Sequence, residues 1–375
     1  MPTYCLDYQP GVAQGAGIGR YTRELAKNLP ALLDGDERLR LFFCDFHRRT
    51  SDNPVPGTDA RACRWIPGAV LQKAWHWLGA PAFDRFSGPA DLFHFTNFCT
   101  RPVRAGRSVV SVHDMSFERF PQFAEEKNLR YLHRGVARSV ERADAIITIS
   151  EFSKREIEEL LPAARGKVHV TYLGIDPDFA PAPDARVRAV REKLGLTRPF
   201  LLSVGTIEPR KNLEFLVDAW EKLAPEGIDL VLAGAPGWRC EPIFARFESS
   251  PFRDRLHYVR RVPDGTLADL YSAAALYVTP SHYEGFGFPP LEAMACGTPV
   301  LSSDGGSLPE VLGNAATVLH GFDADAWAHE ARRLLSLGKE ARADLVRRGR
   351  EQAARFRWAD TVRSTLAVYR EVLAR

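Results

Sequence analysis

The sequence predicts an α/β protein with two doubly wound domains, each built on a largely parallel sheet. The chain has 375 residues, 45% of them hydrophobic, and one domain typically takes about 100–200 residues. Short apolar segments alternate with segments of helical spacing in both halves, as they do around parallel sheets. Prolines interrupt this alternation near 177–198, where we place the linker between the domains.

The N-terminal domain is predicted from five short segments rich in β-branched and aromatic residues, as buried strands are. These segments are 39–46, 91–98, 108–114, 145–150 and 168–174. Helical spacing is present at 19–33 and 127–143. We therefore assign residues 1–180 to a first Rossmann-like domain.

The C-terminal domain repeats the pattern. Its predicted strands are 199–205, 228–234, 256–260, 275–281 and 299–304, and its predicted helices are 212–224, 266–274 and 290–297. We assign residues 195–355 to this second Rossmann-like domain. A last segment of helical periodicity covers 356–374.

Charge and cysteine content exclude several classes of protein. The 50 Lys and Arg residues nearly balance the 47 Asp and Glu residues, so a net charge of +3 does not indicate a nucleic-acid partner. The 6 cysteines form no C-x-x-C pair, which argues against a zinc site and against a disulfide framework. Neither a basic and apolar leader nor a run of about 18 apolar residues is present. We therefore expect a cytoplasmic protein.

One segment qualifies that expectation. RWIPGAVLQKAWHWLGAPAF, at 64–83, combines Trp65, Trp75 and Trp77 with two cations. Such a mixture fits an amphipathic helix packed on its own domain, and it also fits a helix lying in a membrane interface. The second interpretation predicts peripheral contact with the inner membrane face.

Glycine-rich or charged loops follow three predicted strands of the C-terminal domain. GTIEPRKN begins at Gly205, GAPGWR begins at Gly234, and EGFGFPP follows the strand that ends at Ser281. Ligands of open α/β sheets bind beyond the carboxyl ends of the strands, close to helix N-termini. The three loops therefore predict one binding rim.

Two cations lie in the first of these loops. Arg210 and Lys211 precede the helix predicted from Asn212. A guanidinium fork, an ammonium charge and a helix N-terminus together suit a pyrophosphate. A solvated basic turn is the alternative interpretation, and the position at the predicted rim argues against it.

The stretch HYEGFGFPPLEAMACGTPV, at 282–300, places Glu284 and Glu292 on either side of a segment rich in glycine and proline. Gly285 and Gly287 allow the main chain to approach a ligand closely. We expect Glu292 in the first turn of the following helix, where a carboxylate can accept hydrogen bonds from ribose hydroxyls. Glu284, at the strand end, can face a sugar or a developing positive charge.

Together these motifs resemble the retaining GT-B glycosyltransferases of sequence family four, and more narrowly the mannosyltransferase-like members of bacterial polysaccharide assembly. The matching stretches are YEGFGFPPLEAMACGTPVLSSDGGSLPEV, VGTIEPRKNL, GIGRYTREL, VVSVHDMSF and ITISEFSKREI, which extend over nearly the whole chain. The resemblance implies two Rossmann-like domains facing a cleft, with the donor bound by the C-terminal domain and the acceptor by the N-terminal domain. It also implies that the C-terminal helix, 356–375, packs back on the N-terminal domain.

For the C-terminal domain, the resemblance implies a donor site that works without a metal ion. Arg210 and Lys211 would hold the nucleotide diphosphate, Glu292 would bind the ribose, and Glu284 would bind the sugar or its reacting face. Main-chain N–H groups would contact sugar hydroxyls and phosphate at Gly285, Phe286, Gly287 and Phe288. Gly205 and Gly234 are further donor-binding candidates.

The nucleobase would lie against RVPDGTL, with Val262 and Leu267 as walls. Arg260 and Arg261 stand where family members commonly have a glycine and an aromatic residue. The choice among guanine, uracil and adenine therefore stays open.

For the N-terminal domain, the resemblance implies a glycine-rich lip in QGAGIGRYT near the diphosphate or the acceptor. The lip residues are Gly17, Ile18, Gly19 and Arg20. His113 would lie close to the transferred sugar, although a lone histidine after a buried strand is more often structural. His94 and Asn97, at another strand end, are further candidates for acceptor contact.

The implied activity is retaining transfer of a hexose, with GDP-mannose as the expected donor, to a saccharide or polyprenyl-linked acceptor in surface polysaccharide synthesis. The bond would break through an oxocarbenium-like transition state, in which the departing diphosphate needs most of the stabilisation. No cofactor, metal ion or nucleic-acid partner is expected. A nucleotide-sugar epimerase on the same fold and a non-catalytic sugar-binding protein are the alternatives.

Overall fold

The computed structural model describes residues 2–15, 17–262 and 265–375. The chain divides into two compact units. The first unit contains the residues up to Pro121, Glu126–Gly174 and Arg357–Arg375, and the second contains Gln122–Glu125 and Ile175–Phe356. Apart from the short segment Gln122–Glu125, the main chain enters the second unit after Gly174 and returns to the first after Phe356.

The first unit is built on a seven-stranded parallel sheet. Its strands are β1 (Thr3–Asp7), β2 (Arg38–Cys44), β3 (Asp59–Cys63), β4 (Leu92–Phe95), β5 (Arg107–Ser111), β6 (Ala145–Thr148) and β7 (Val168–Val170). Their order across the sheet is β3-β2-β1-β4-β5-β6-β7. Because the order reverses between β1 and β4, the carboxyl ends of these two strands form the topological switch point.

Among its described residues, the first unit contains seven α-helices from the N-terminal half of the chain and the last helix of the chain. They are α1 (Gln9–Ala13), α2 (Gly17–Asn28), α3 (Gly68–Trp77), α4 (Asp84–Ser87), α5 (Ser116–Arg119), α6 (Glu126–Arg142), α7 (Glu151–Leu160) and the last helix of the chain, α16 (Trp358–Ala374). Thr361 on α16 donates a hydrogen bond to the Tyr172 carbonyl at 2.7 Å. A Cβ atom on Gly174 would lie 2.1 Å from the backbone nitrogen of Trp358, so only glycine permits this close approach.

The second unit has a six-stranded parallel sheet of the same topology. Its strands are β8 (Phe200–Val204), β9 (Asp229–Ala233), β10 (Leu256–Val259), β11 (Leu276–Thr279), β12 (Val300–Ser303) and β13 (Thr317–Leu319). The order is β10-β9-β8-β11-β12-β13, and it reverses between β8 and β11. The helices are α8 (Asp184–Lys193), α9 (Leu213–Glu221), α10 (Glu241–Glu248), α11 (Leu267–Ala273), α12 (Phe288–Ala295), α13 (Leu308–Leu312), α14 (Ala324–Leu335) and α15 (Lys339–Ala353).

Each unit has its own apolar core, in which the sheet packs against helices. In the first unit, Phe93 and Val110 on the strands belong to one cluster with Trp75 on α3. In the second, Leu232 and Val278 pack with Trp220 on α9, whose indole N–H donates to the Ile228 carbonyl at 3.0 Å. The two-domain α/β architecture predicted from the sequence is therefore present.

The stretch 177–198, predicted to be a linker, is not irregular throughout. Residues 184–193 form α8, which belongs to the second unit. Pro181 and Pro183 lie before the helix, where the missing N–H of proline costs nothing. The prolines therefore mark the beginning of a helix, and the prediction of a linker over the whole stretch was wrong.

Candidate active site

The two loops predicted to carry the chemistry of the second unit follow neighbouring strands. Residues 205–212 follow β8, and residues 280–287 follow β11. The strand order reverses between β8 and β11, so both loops leave the sheet at its switch point. The main chain also connects them, because the His282 N–H donates to the Arg210 carbonyl at 2.9 Å.

Gly205 and Gly234 allow the first loop to fold tightly. A Cβ atom on Gly234, which has φ +154°, would lie 1.8 Å from the Gly205 carbonyl oxygen. A Cβ atom on Gly205 would lie 3.2 Å from Cε of Lys211. The two glycines therefore let the β8 and β9 loops touch and leave room for the Lys211 side chain.

A short 3-10 helix, Pro209–Lys211, carries both cations. Asn212 follows with φ +54° in the left-handed region, where asparagine is among the residues that tolerate it. Helix α9 begins at the next residue, Leu213. The cations thus lie just before a helix N-terminus, as the sequence predicted.

The cations are held by two buried carboxylates. Arg210 Nη1 donates to Glu284 Oε2 at 2.9 Å and to the Tyr283 carbonyl at 2.5 Å, and Nη2 of the same guanidinium pairs with Glu208. Lys211 Nζ lies 2.5 Å from Glu284 Oε1. Glu284 Oε1 also accepts a hydrogen bond of 2.7 Å from the Ser281 hydroxyl. Glu284 therefore forms ion pairs with both cations at once.

This network keeps Glu284 ionised. Burial opposes its ionisation, but the charges of Lys211 and Arg210, with hydrogen bonds from Lys211 and Ser281, outweigh burial and lower the pKa of Glu284 to about 2. The side chains of Arg210 and Lys211 are 22% and 14% exposed, whereas that of Glu284 is 10% exposed. The cations are thus more accessible than the carboxylate that they share.

Glu208 is a member of this network that the sequence reasoning missed. It is 2% exposed and binds the Arg210 guanidinium on the side that Glu284 does not occupy. The signal was present in GTIEPRKN, since an acidic residue two positions before an arginine in a buried loop needs a charged partner. Glu208 is a positioning residue for Arg210.

Glu292 does not lie in the first turn of its helix, and that prediction was wrong. Helix α12 begins at Phe288, two residues before the predicted start, because Pro289 and Pro290 fit within its first turn. Glu292 therefore lies in the second turn. It is 4% exposed and accepts a hydrogen bond of 2.8 Å from the Tyr271 hydroxyl.

Between the two acids, the glycine-rich segment packs against the loop that follows β12. Gly287 precedes α12 with φ +96°, and a Cβ atom there would lie 2.8 Å from Leu308. Ser307 donates to the Glu284 carbonyl through its N–H at 2.9 Å and its hydroxyl at 3.0 Å. The side chain of Phe286 is buried against Phe356, with ring centroids 5.5 Å apart. The predicted donor contacts of the main chain at Gly285, Phe286, Gly287 and Phe288 stay predictions.

The two predicted nucleobase walls, Val262 and Leu267, lie on either side of two residues that are outside the described ranges. Val262 is half-buried at the end of the described range, and Leu267 is the first residue of α11. Pro263 and Asp264, within the same predicted segment, lie outside the described residues.

His113 lies in the first unit, two residues beyond β5, and is 4% exposed. Its Nε2 is 2.8 Å from the Thr96 carbonyl, which can only accept, so Nε2 carries the proton. Burial lowers the pKa of His113, although the Thr96 hydrogen bond and Asp114 oppose this. The imidazole is therefore neutral at neutral pH, and its predicted contact with the transferred sugar stays a prediction.

Both ring nitrogens of His94 have hydrogen-bond partners in the interior of the first unit. Its Nδ1 lies 2.6 Å from the Tyr369 hydroxyl and its Nε2 lies 2.7 Å from the Ser111 hydroxyl. It is 1% exposed, and burial together with His113 lowers its pKa to about 3. These contacts assign His94 to joining α16 to the sheet, and they do not support acceptor contact. Asn97, half-buried beyond β4, remains a candidate.

The glycine-rich lip is largely helical. Gly17, Ile18, Gly19 and Arg20 form the first turn of α2, and Ala16 lies outside the described residues. A Cβ atom on Gly19 would lie 1.9 Å from the Gln14 carbonyl oxygen, so this glycine permits the turn between α1 and α2. Among the described residues of both units, no group of three His, Cys, Asp or Glu side chains is placed to hold a metal ion.

Comparison with known proteins identifies the family. The pattern of the family described as Glycosyltransferase Family 4 matches residues 15–179, and that of Glycosyl transferases group 1 matches residues 187–352. The chain is 35% identical to the O-antigen chain mannosyltransferase B of Escherichia coli over 374 residues, which cover 94% of this chain and 96% of that protein.

Two further similarities extend over the whole chain. A D-inositol 3-phosphate glycosyltransferase of Xylanimonas cellulosilytica is 34% identical over 405 residues, covering 100% of this chain and 92% of that protein. The sucrose-phosphate synthase of Thermosynechococcus elongatus shares the fold, with a TM-score of 0.80 at 22% identity and coverage of 100% of both chains. The chain belongs to the GT-B glycosyltransferases of sequence family four.

Proposed function

We propose that this protein transfers mannose from GDP-mannose, with retention, to a saccharide or polyprenyl-linked saccharide acceptor in bacterial surface polysaccharide synthesis. The observation that carries the proposal is the pair of cations on Glu284 at the switch point of the second sheet. Mannose as the sugar is supported by the similarity to the O-antigen mannosyltransferase of E. coli.

In this proposal, the donor diphosphate binds to Arg210 and Lys211 in the second unit. The two cations, together with the N-terminus of α9, supply the positive charge that a departing diphosphate requires, so no metal ion is needed. Their contacts with Glu284 and Glu208 fix their positions before the donor arrives, and preorganised charge needs no rearrangement during the reaction. Glu284, released in part by the diphosphate, is then close enough to bind the sugar or to stabilise positive charge on it.

Glu292 binds the donor ribose in this proposal, although it lies in the second turn of α12. Its Oε2 is held by the Tyr271 hydroxyl at 2.8 Å, which fixes the carboxylate. The acceptor is assigned to the first unit, where His113 and Asn97 follow neighbouring strands. Peripheral contact with the inner membrane face, through 64–83, would bring the protein to a polyprenyl-linked acceptor.

A thermal-shift panel of GDP-mannose, UDP-glucose and ADP-glucose tests the donor assignment. A ligand that binds only the folded state at about 100 times its Kd adds about 2.7 kcal/mol of stability, so the tightest donor raises Tm most. We expect the largest rise with GDP-mannose. Glu292→Ala should reduce the rise for all three donors, because all three share the ribose. A largest rise in Tm with UDP-glucose would contradict the assignment of GDP-mannose as the donor. No rise in Tm with any of the three donors would contradict the proposed donor site.

A further inference from the structure

The first unit contains a cavity that belongs to neither predicted substrate site. It has a volume of about 180 Å³ and lies where the C-terminal end of α3 meets α6 and the segment after β4. Its lining includes His76, Trp77, Leu78, Arg101, Arg138 and Arg142. The volume exceeds the roughly 30 Å³ of one water molecule several-fold, so a phosphate-sized group can enter.

The cavity is strongly basic. Arg138 and Arg142 are one helical turn apart on α6, and Arg134 is one turn before them, with its guanidinium 5.1 Å from the Trp77 ring centroid. Like charges at this spacing repel one another, which favours a bound anion between them. No Asp or Glu is among the described residues that line the cavity.

Arg101 adds a cation that is 9% exposed. Its Nη1 donates to the Tyr131 hydroxyl at 3.1 Å, its Nε lies 3.9 Å from Asp7 Oδ2, and its guanidinium is 5.7 Å from the Trp75 ring centroid. None of these contacts is a short, two-pronged pairing with a carboxylate, the arrangement that suits a guanidinium best. The positive field reaches His76, whose pKa is lowered first by burial and then by the charges of Arg101 and neighbouring arginines.

One rim of the cavity is apolar and exposed. Trp77 and Leu78 line the cavity with exposed fractions of 55% and 77%. Val70, 55% exposed, lies seven residues before Trp77 on α3 and therefore on the same face of the helix. Tryptophan and aliphatic side chains beside cations are typical of helices that lie in a membrane interface. Within the part of the chain that the structure describes, no helix is long and apolar enough to cross a membrane.

We propose that this cavity binds the phosphate group of an anionic membrane lipid, while Trp77 and Leu78 enter the interface beside it. An anion pocket with an apolar rim matches a ligand that has both a phosphate and a hydrocarbon tail. This inference rests on the membrane contact in the proposed function, and it assigns that contact to a defined phosphate site instead of diffuse charge.

Vesicle flotation of the full-length protein tests the proposal, with phosphatidylcholine vesicles alone or mixed with phosphatidylglycerol. We expect binding to the anionic vesicles only, and at least about a tenfold loss of the bound fraction in R138K/R142K, because lysine keeps the charge but loses the guanidinium fork. The matched control is R347K/R348K, a pair of exposed arginines on α15 in the second unit, which should float like the wild type. Thermal unfolding of each variant confirms that it is folded.

Three results would overturn the inference. Wild-type flotation of R138K/R142K would show that diffuse charge suffices, and absence of wild-type flotation would remove the membrane contact. Equally tight calorimetric binding of soluble glycerol 3-phosphate to the wild type and to W77A/L78A would identify a site for a free phosphorylated solute. The rise in Tm with GDP-mannose should be the same in these variants as in the wild type, because the proposed donor site lies in the second unit. This measurement therefore separates failure of the lipid site from failure of the proposed transferase function.

Discussion

Replacing Arg210 or Lys211 by alanine should remove about 2–4 kcal/mol of transition-state stabilisation, measured as the fall in kcat/KM for the donor. The reason is that, in the proposed function, each cation faces the charge that develops on the departing diphosphate. Both side chains are already held in place, at 2.9 Å and 2.5 Å from the Glu284 carboxylate. The loss should appear in kcat as well as in KM, because the charge is larger in the transition state than in the bound donor.

The control for this measurement is Lys222→Ala. Lys222 follows the last residue of α9 and pairs with Asp325. It is therefore at the opposite end of this helix from the loop that carries Arg210 and Lys211. Its variant should keep wild-type kinetics. Wild-type turnover of Arg210→Ala and Lys211→Ala would remove these residues from the mechanism.

The second large effect is expected for Glu284→Gln, in which two properties should change in opposite directions. Loss of the carboxylate charge leaves Arg210 and Lys211 without their shared counter-ion, so free GDP should bind more tightly while kcat falls. The free energy of unfolding should fall by about 3 kcal/mol, the lower end of the cost of removing one partner of a buried ion pair, because Arg210 keeps its contact with Glu208. Calorimetry with GDP, steady-state kinetics and denaturant unfolding measure the three quantities.

The pH dependence of this variant provides an independent check. Despite burial, the Lys211 and Arg210 charges lower the folded-state pKa of Glu284 to about 2, from its usual value of 4.5. Its contribution to stability is therefore complete above the unfolded pKa and is lost as the pH falls through the folded pKa. The stability difference between wild type and Glu284→Gln should shrink as the pH falls from about 5 to about 2. Weaker GDP binding by Glu284→Gln at neutral pH would contradict the account, because it would make Glu284 a ligand of the nucleotide.

The sequence predicted the two sheets and the position of the cation loop because both depend on local patterns. Each of the ten predicted strands is present, since buried parallel strands are short continuous apolar segments. Three of the described strands were not predicted: β1, β3 and β13. Strand β1 lies in the middle of its sheet, but it has only five residues and its apolar segment is bounded by Thr3 and Asp7. Strand β3 was missed because it lies at the sheet edge and carries the polar residues Asp59 and Arg61. Strand β13, also at an edge, has three residues and is half-buried throughout.

The side-chain partners could not be predicted, because they depend on loops that meet only in the folded unit. Arg210 and Glu284 are 74 positions apart, and the sequence did not indicate that one would bind the other. His94 has a partner 275 positions away, Tyr369, which turns a candidate ligand group into part of the core. Spacing alone placed Glu292 one turn too early, since the prolines before it fit within α12.

The most direct test of the proposed transfer is NMR spectroscopy of purified protein with GDP-mannose, in the presence and absence of a mannose-containing saccharide acceptor. The account predicts that GDP-mannose is consumed at a substantial rate only when the acceptor is present. It also predicts that the new glycosidic bond has the same anomeric configuration as the donor. An inverted product would contradict retention. Conversion of GDP-mannose to another nucleotide sugar without acceptor would identify an epimerase, and an unchanged donor under both conditions would contradict the transferase itself.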